Sequence, residues 1–307
     1  MKNIFTYSTA FVLGLALVAS SEADAQQFSK RKQYNSVGFS LNAVNYFGDV
    51  TPVTNFTSLR PGATRLGAGV SITRRFYPRL SGRFGLTYGR ITGSDELATN
   101  GVSDPNARFR RNRNFTFRND IFEASAVAVV DLIENRNNYL KRPDFVPYVF
   151  GGVAGFYHNP QGLYTDGSYV DLQPLTTEGQ ATAYSRFQFA IPFGGGIRYR
   201  INRNFDASLE VGFRKTFTDY IDDVGGKFAK LSAISASEQQ KYFGNGITKS
   251  QTGEFANFTG QNDLDPTNPS ITRAQRGDSG NKTDWYIVTG VTLNYILTPR
   301  IKNPKFR

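Results

Sequence analysis

One histidine and no cysteine among 307 residues leave few ways to do chemistry. His158 sits in F-Y-H-N-P, where a strand-like run gives way to a loop. A lone imidazole cannot build a two-histidine metal site, and it allows no Ser/His/Asp charge system beyond one centre. The plainer reading is an interfacial histidine without a catalytic role. Asp219, Asp222 and Asp223 in T-D-Y-I-D-D-V could hold a cation through carboxylate oxygens. Aspartates also gather at strand ends for turn chemistry, and a solvated acidic cluster is the simpler account. Arg276-Gly277-Asp278 spells an adhesion tripeptide, but a loop rich in Gly and Asp produces such triplets readily. At the rim, His158, Asp219, Asp222, Asp223 and Glu178 are the acid and base groups on offer. No catalytic residue, metal ligand or cofactor site is expected, and the chain reads as a non-enzyme.

The elements that would carry these groups are two-faced strands. From Arg186 to Arg200 the chain reads R-F-Q-F-A-I-P-F-G-G-G-I-R-Y-R, with Phe187, Phe189, Ile191, Phe193, Ile197 and Tyr199 on one parity and Gln188, Ala190, Gly194, Gly196 and Arg198 on the other. The same alternation predicts strands over 36–47, 64–76, 82–90, 115–132, 146–158, 205–217 and 284–297. Pro192, inside one of them, removes a ladder donor and predicts a bulge or bend beside Gly194-Gly195-Gly196. Connections after the odd strands are long, including 92–113, 159–185 and 218–283, and those after the even strands are shorter.

Met1–Asn3, the apolar run Ile4–Ala19 and Ala23-Asp24-Ala25 read as a secretory signal peptide cleaved after Ala25. Residues 26–307 then form one unit. No later stretch approaches the roughly 18 apolar residues of a spanning helix, and mean hydropathy is −0.40. Together these features predict an all-β fold: an eight-stranded antiparallel transmembrane β-barrel in the outer membrane, with long extracellular loops, short periplasmic turns and both termini in the periplasm. Alternation alone fits a soluble lipocalin-like barrel equally well. The polar face tips the balance, because Arg65, Arg83, Glu123, Arg198, Glu210 and Arg214 suit a small lumen filled by a charge network. Tyr88, Phe187, Tyr199, Phe217, Trp285 and Tyr295 near the strand ends suit interfacial girdles. Such a lumen is just wide enough for side chains, so a diffusion pore is not expected. The net charge of +11 is spread over lumen and loops without a single stripe, which disfavours nucleic acid and favours outer-membrane lipid and lipopolysaccharide phosphate as partners.

Several segments in order, N-Y-F-G-D (45–49), R-P-G (60–62), R-F-G-L-T-Y-G-R-I-T-G (83–93), N-F-T-F-R-N-D-I-F-E (114–123), P-Y-V-F-G-G-V-A-G-F-Y-H-N-P (147–160), L-T-T-E-G-Q (175–180), F-R-K-T-F-T-D-Y-I-D-D-V (213–224) and D-W-Y (284–286), resemble the PorG-like outer-membrane β-barrel family of the type IX secretion system of Bacteroidetes. That resemblance implies protein transport, with a barrel that anchors or stabilises a periplasmic ring of a lipoprotein and its companion protein. It brings no catalytic residues and no cofactor. The chain departs from the usual aromatic end of a barrel by a basic tail after Leu297. Arg300, Lys302 and Lys305 of that tail, with Arg136, Lys141 and Arg142 of the connection after the fourth strand, are candidate periplasmic docking residues. Two other readings stay open: a general structural or adhesive barrel of the OmpA transmembrane type, and an outer-membrane enzyme using rim groups.

Overall fold

A computed structural model describes residues 32–50, 62–95, 113–226, 229, 237–245, 276–277 and 283–298. Among the described residues nine strands form one antiparallel sheet: β1 (Asn35–Phe47), β2 (Arg65–Arg75), β3 (Leu80–Ser94), β4 (Thr116–Asp131), β5 (Phe145–Leu163), β6 (Tyr169–Asp171), β7 (Phe187–Arg200), β8 (Phe205–Thr216) and β9 (Trp285–Leu297). Each long strand pairs with the next in sequence, β1 pairs with β9, and β4 pairs with β5, so the eight long strands close on themselves. The ninth, β6, adds only to the far end of β5. The chain is a closed eight-stranded antiparallel β-barrel, as its alternation predicts. The signal-peptide cleavage after Ala25 and the tail residues Arg300, Lys302 and Lys305 fall outside the described residues.

Side chains alternate in the sense opposite to a water-soluble barrel. Phe39, Leu41, Leu66, Ile72, Phe84, Val153, Phe189 and Val291 lie on the outside, each more than half exposed. The inner face carries Ser36, Asn42, Arg83, Glu123, Ser208 and Thr292. Burying so many strands while leaving their apolar sides bare is unfavourable in water and favourable in hydrocarbon. Aromatic side chains edge this apolar face at two heights. Tyr199, Phe145 and Tyr295 lie near the turn end; Tyr88, Phe122, Tyr157 and Phe187 form one register row near the loop end. From Trp285 to Tyr295, at ~3.3 Å per residue and ~40° of tilt, the rise is about 25 Å, the height of a membrane barrel's apolar band.

The turn end is closed by connections that bond to one another. The 76–79 turn meets the end of β4 through Asp131 N to Arg79 O and the 132–144 connection through Asn135 N to Pro78 O. The 201–204 turn is folded by Asn202, whose side chain accepts from the backbone of Asn204 and Phe205, and its Asn204 carbonyl accepts from Ile296 N. At the other end β3 and β5 run farther than the alternation suggested, to Ser94 and Leu163, and part of the expected 159–185 loop is ordered as β6 and a 3-10 turn over Gln173–Leu175.

Pro192 does not create a bulge. The β5–β7 pairing lapses beside it and then resumes in unchanged register, from Gly151 with Phe193 to Ala154 with Ala190. Its missing donor is absorbed where Gly152 stands; a Cβ there would collide with the Ala126 carbonyl, so glycine keeps β4 and β5 close where the β7 ladder is absent.

Candidate functional site: a filled lumen and a capped loop end

Inward-facing Arg, Asp and Glu pair in tiers along the barrel axis. At the turn end Arg142 Nη2 lies 2.6 Å from Asp206, and Arg75 and Arg198 both pair with Asp131. Midway, Arg83 grips Glu210 with two parallel bonds, its Nη2 at 2.9 Å from Oε2, while its guanidinium stands over the Phe150 ring. Nearer the loop end Arg214 pairs with Glu123 at 3.2 Å, and Tyr286 donates to the same carboxylate at 2.7 Å. Glycines make the room; a Cβ at Gly196 would crowd the Glu210 side chain and the Leu209 carbonyl. Two cavities of about 30 and 70 Å³ remain between tiers, room for a few waters. Charges withdrawn from water persist only when paired, and these tiers pair them across the barrel.

The residues expected in the lumen divide accordingly. Arg83, Glu123, Arg198, Glu210 and Arg214 form the pairs above. Arg65 does not join them: it stands at the loop-end rim and donates to the carbonyls of Gly62 and Thr64. Asp131, Arg75 and Asp206, which complete the turn-end tiers, sit at strand ends where parity is hardest to read.

The expected girdle residues lie at two heights: Tyr199 and Tyr295 at the turn end, Tyr88, Phe187, Phe217 and Trp285 at the loop end. Lys215 stands over Trp285 at 5.5 Å. Of the docking candidates, Arg136 and Lys141 are exposed. Arg142 is not available for docking: it is buried, and besides Asp206 it donates to the carbonyls of Tyr139, Asn202 and Arg203, clamping one connection to the next.

A cap closes the loop end. Val50, Ile91, Phe115, Phe117, Phe156, Leu172, Ile221, Val224 and Phe243 form its apolar core, the last from helix α1 (Glu238–Asn245). Arg113 binds Asp95 at 2.6 Å and reaches the carbonyls of Asp49 and Arg276. Arg276 pairs with Asp223 and Glu178, and Glu178 accepts from the backbone of Gly225 and Gly226. Arg276 is thus buried in the cap, which removes the adhesive reading of Arg276-Gly277-Asp278 for its first residue; Asp278 lies outside the described residues.

The acidic triplet also disperses. Asp222 accepts from Tyr46, and Asp223, in a left-handed conformation with φ of 70°, accepts from Thr177 and Tyr184. Among the described residues no group of three His, Asp or Glu side chains is placed to hold a metal. Burial, with Asp49 nearby, pushes the Asp222 carboxyl well above the usual range; burial and the neighbouring Asp222 do the same to Asp284. Burial also raises Asp223, against the pull of Arg276.

His158 is not interfacial. It points inward, fully buried, its ring stacked on Tyr184 at 6.0 Å, and Tyr184 stacks in turn on Tyr220 at 4.8 Å. Among the described residues its polar side-chain contact is the Asn119 amide at 3.4 Å, which also donates to Ile221 O.

A closed barrel with a bare apolar outside, aromatic rims and a salt-bridged inside defines a membrane-spanning β-barrel. Within that class the chain belongs to the DUF6089 family, a domain of unknown function, whose model matches residues 17–252. No curated protein matches it in sequence. Solved structures similar to it include OprG of Pseudomonas aeruginosa, with 8% identity over 88% of this chain and 98% of that one and a TM-score of 0.40. Neisserial surface protein A shows 9% identity over 85% and 96%, with a TM-score of 0.38. The attachment invasion locus protein Ail of Yersinia pestis, solved with the heparin analogue sucrose octasulfate, shows 8% over 86% and 97%, with a TM-score of 0.34. At such scores the fold rests on the strand pairing of this chain, not on these likenesses.

Proposed function

We propose that the protein is a sealed, non-enzymatic outer-membrane barrel of the general structural or surface-binding class, its capped loop end outside the cell and its turns in the periplasm. The observation that carries this reading is the Arg83–Glu210 tier, which fills the lumen beneath a bare apolar belt. With the lumen crossed by ion pairs and the loop end capped, function falls to the two ends and the lipid-facing wall. Reconstitution in a planar bilayer tests it: the folded barrel is expected to insert without conductance steps, and steady open-channel current would contradict it.

A second reading, a component of the type IX secretion apparatus, draws on the resembling segments and on one observation about the turn end. Arg79, Arg136, Lys141 and Arg203 are exposed on connections that bond laterally into a platform, where an anionic periplasmic partner could rest. Deletion of the gene tests this reading. Loss of export of cargo bearing a C-terminal sorting domain is expected, and unchanged export leaves the general barrel alone.

A further inference from the structure

The long strands β3 and β5, with β4 between them, carry an ordered change of chemistry on their outer side. In register, Tyr88, Phe122, Tyr157 and Phe187 make one aromatic row; the next row up is Arg90, Asp120 and Asn159, and the one above it is Thr92, Arg118, Gln161 and Asp171. The wall therefore leaves hydrocarbon at the aromatics and becomes polar within one step. From Tyr88 to the end of β3 it climbs about 15 Å at ~3.3 Å per residue and ~40° of tilt.

This polar wall is prearranged. Arg90 binds Asp120 with two bonds of 2.7 and 2.9 Å, and Tyr88 donates to the same carboxylate. Asn159 and Gln161 both donate to Asp171 Oδ1, and Arg186 Nη2 stands 3.8 Å from Asp171 Oδ2. Arg118 stands over the Tyr169 ring, its Cζ 4.0 Å from the ring centre, and donates through Nε to Gln161, so its described bonds leave both Nη groups for an acceptor. A guanidinium held over a ring and by one hydrogen bond loses little freedom when it takes a phosphate in a two-pronged bond.

We propose that this wall binds the phosphorylated sugar headgroup of an outer-leaflet glycolipid, with Arg118 and Arg186 on a phosphate and Tyr169 against the sugar. The face is continuous with the lipid-facing belt and starts where the acyl chains end, so headgroups are its immediate neighbours; a soluble protein would first have to displace them. The assignment rests on the outer-membrane reading with loops outward.

The test uses the full mature barrel, folded in phosphatidylethanolamine nanodiscs, with purified lipopolysaccharide as probe and native mass spectrometry as readout. Retention is expected to fall about tenfold in Arg118→Ala/Arg186→Ala, the scale of one charge-assisted bond, and about as much when the lipid is enzymatically dephosphorylated. Arg118→Lys is expected to recover only part, and Arg74→Ala at the opposite end is expected to bind as the parent does. A heat-dependent gel shift confirms that each variant folds. Equal retention by the double variant, or of the dephosphorylated lipid, overturns the assignment. An impermeant maleimide on intact cells reads orientation separately, through an Asp166→Cys variant; absence of labelling there while a turn-end Asn137→Cys is labelled overturns the orientation and the assignment with it.

Discussion

The hydroxyl of Tyr46 lies 3.1 Å from Asp284 Oδ1, joining residues 238 positions apart, and it donates to Asp222 as well. One hydroxyl carries one proton, so both contacts are satisfied together when a carboxyl supplies the second. The raised Asp222 and Asp284 carboxyls can do so. Ile221 N and Val224 N donate to the same two carboxylates, so this knot fixes the loop after β8 over the lumen.

Tyr46→Phe removes the hydroxyl and leaves buried carboxyls short of a donor, a loss of about 1–3 kcal/mol for the cap. Limited proteolysis is expected to cut near residues 221–226 sooner, while the heat-dependent gel shift of the barrel persists. Equal cleavage rates would show that the knot does not hold the cap.

The pH dependence has a definite sign. Asp222 and Asp284 have folded values above the unfolded carboxyl value near 4, so the closed cap binds protons more tightly than an opened one. Their contribution is full below about pH 4 and drains as pH rises through the folded values. Hydrogen exchange of the Ile221 and Val224 amides, corrected for intrinsic rate, is expected to show cap opening favoured as pH rises. Asp284→Asn should flatten that slope, and a steeper slope in the variant would contradict the account.

In the lumen, Glu210→Ala strands Arg83 without its partner and is expected to cost about 3–5 kcal/mol in urea unfolding from vesicles. Arg83→Leu/Glu210→Leu removes both charges and should recover most of that loss. A double variant as unstable as the single one would mean that the pair does more than neutralise itself.

At the turn end, Arg142→Ala breaks the Asp206 pair and three carbonyl bonds, and a loss of about 3 kcal/mol is expected. Lys141→Ala, its exposed neighbour, should stay within about 0.5 kcal/mol. The same unfolding assay separates them.

The belt and the tiers were legible because period-2 alternation ties each side chain to a face, so Phe187, Phe189, Ile191, Phe193, Ile197 and Tyr199 share the outer one. The cap was not legible. Tyr46, Asp222 and Asp284 sit in separate runs whose meeting depends on loop closure, which carries no local pattern. Arg142 could not be told from Lys141 by composition; what separates them is Asp206 at 2.6 Å, supplied by a strand 64 positions away. His158 looked interfacial because it precedes Asn159-Pro160, yet β5 continues through that proline to Leu163, since its partner β4 still offers Asn119 and Phe117 in register.

The central claim, that the apolar face meets lipid around a sealed polar lumen, is tested most directly by spin labels on consecutive residues of β3, made possible by the absence of native cysteine. Labels at Phe84, Leu86 and Tyr88 in lipid bilayers should collide readily with dissolved oxygen and poorly with a water-soluble nickel chelate. Labels at Gly85 and Thr87 should be shielded from both, giving an oxygen accessibility that alternates with every residue. Alternation of the opposite parity, or nickel access along the inner positions, would contradict the account.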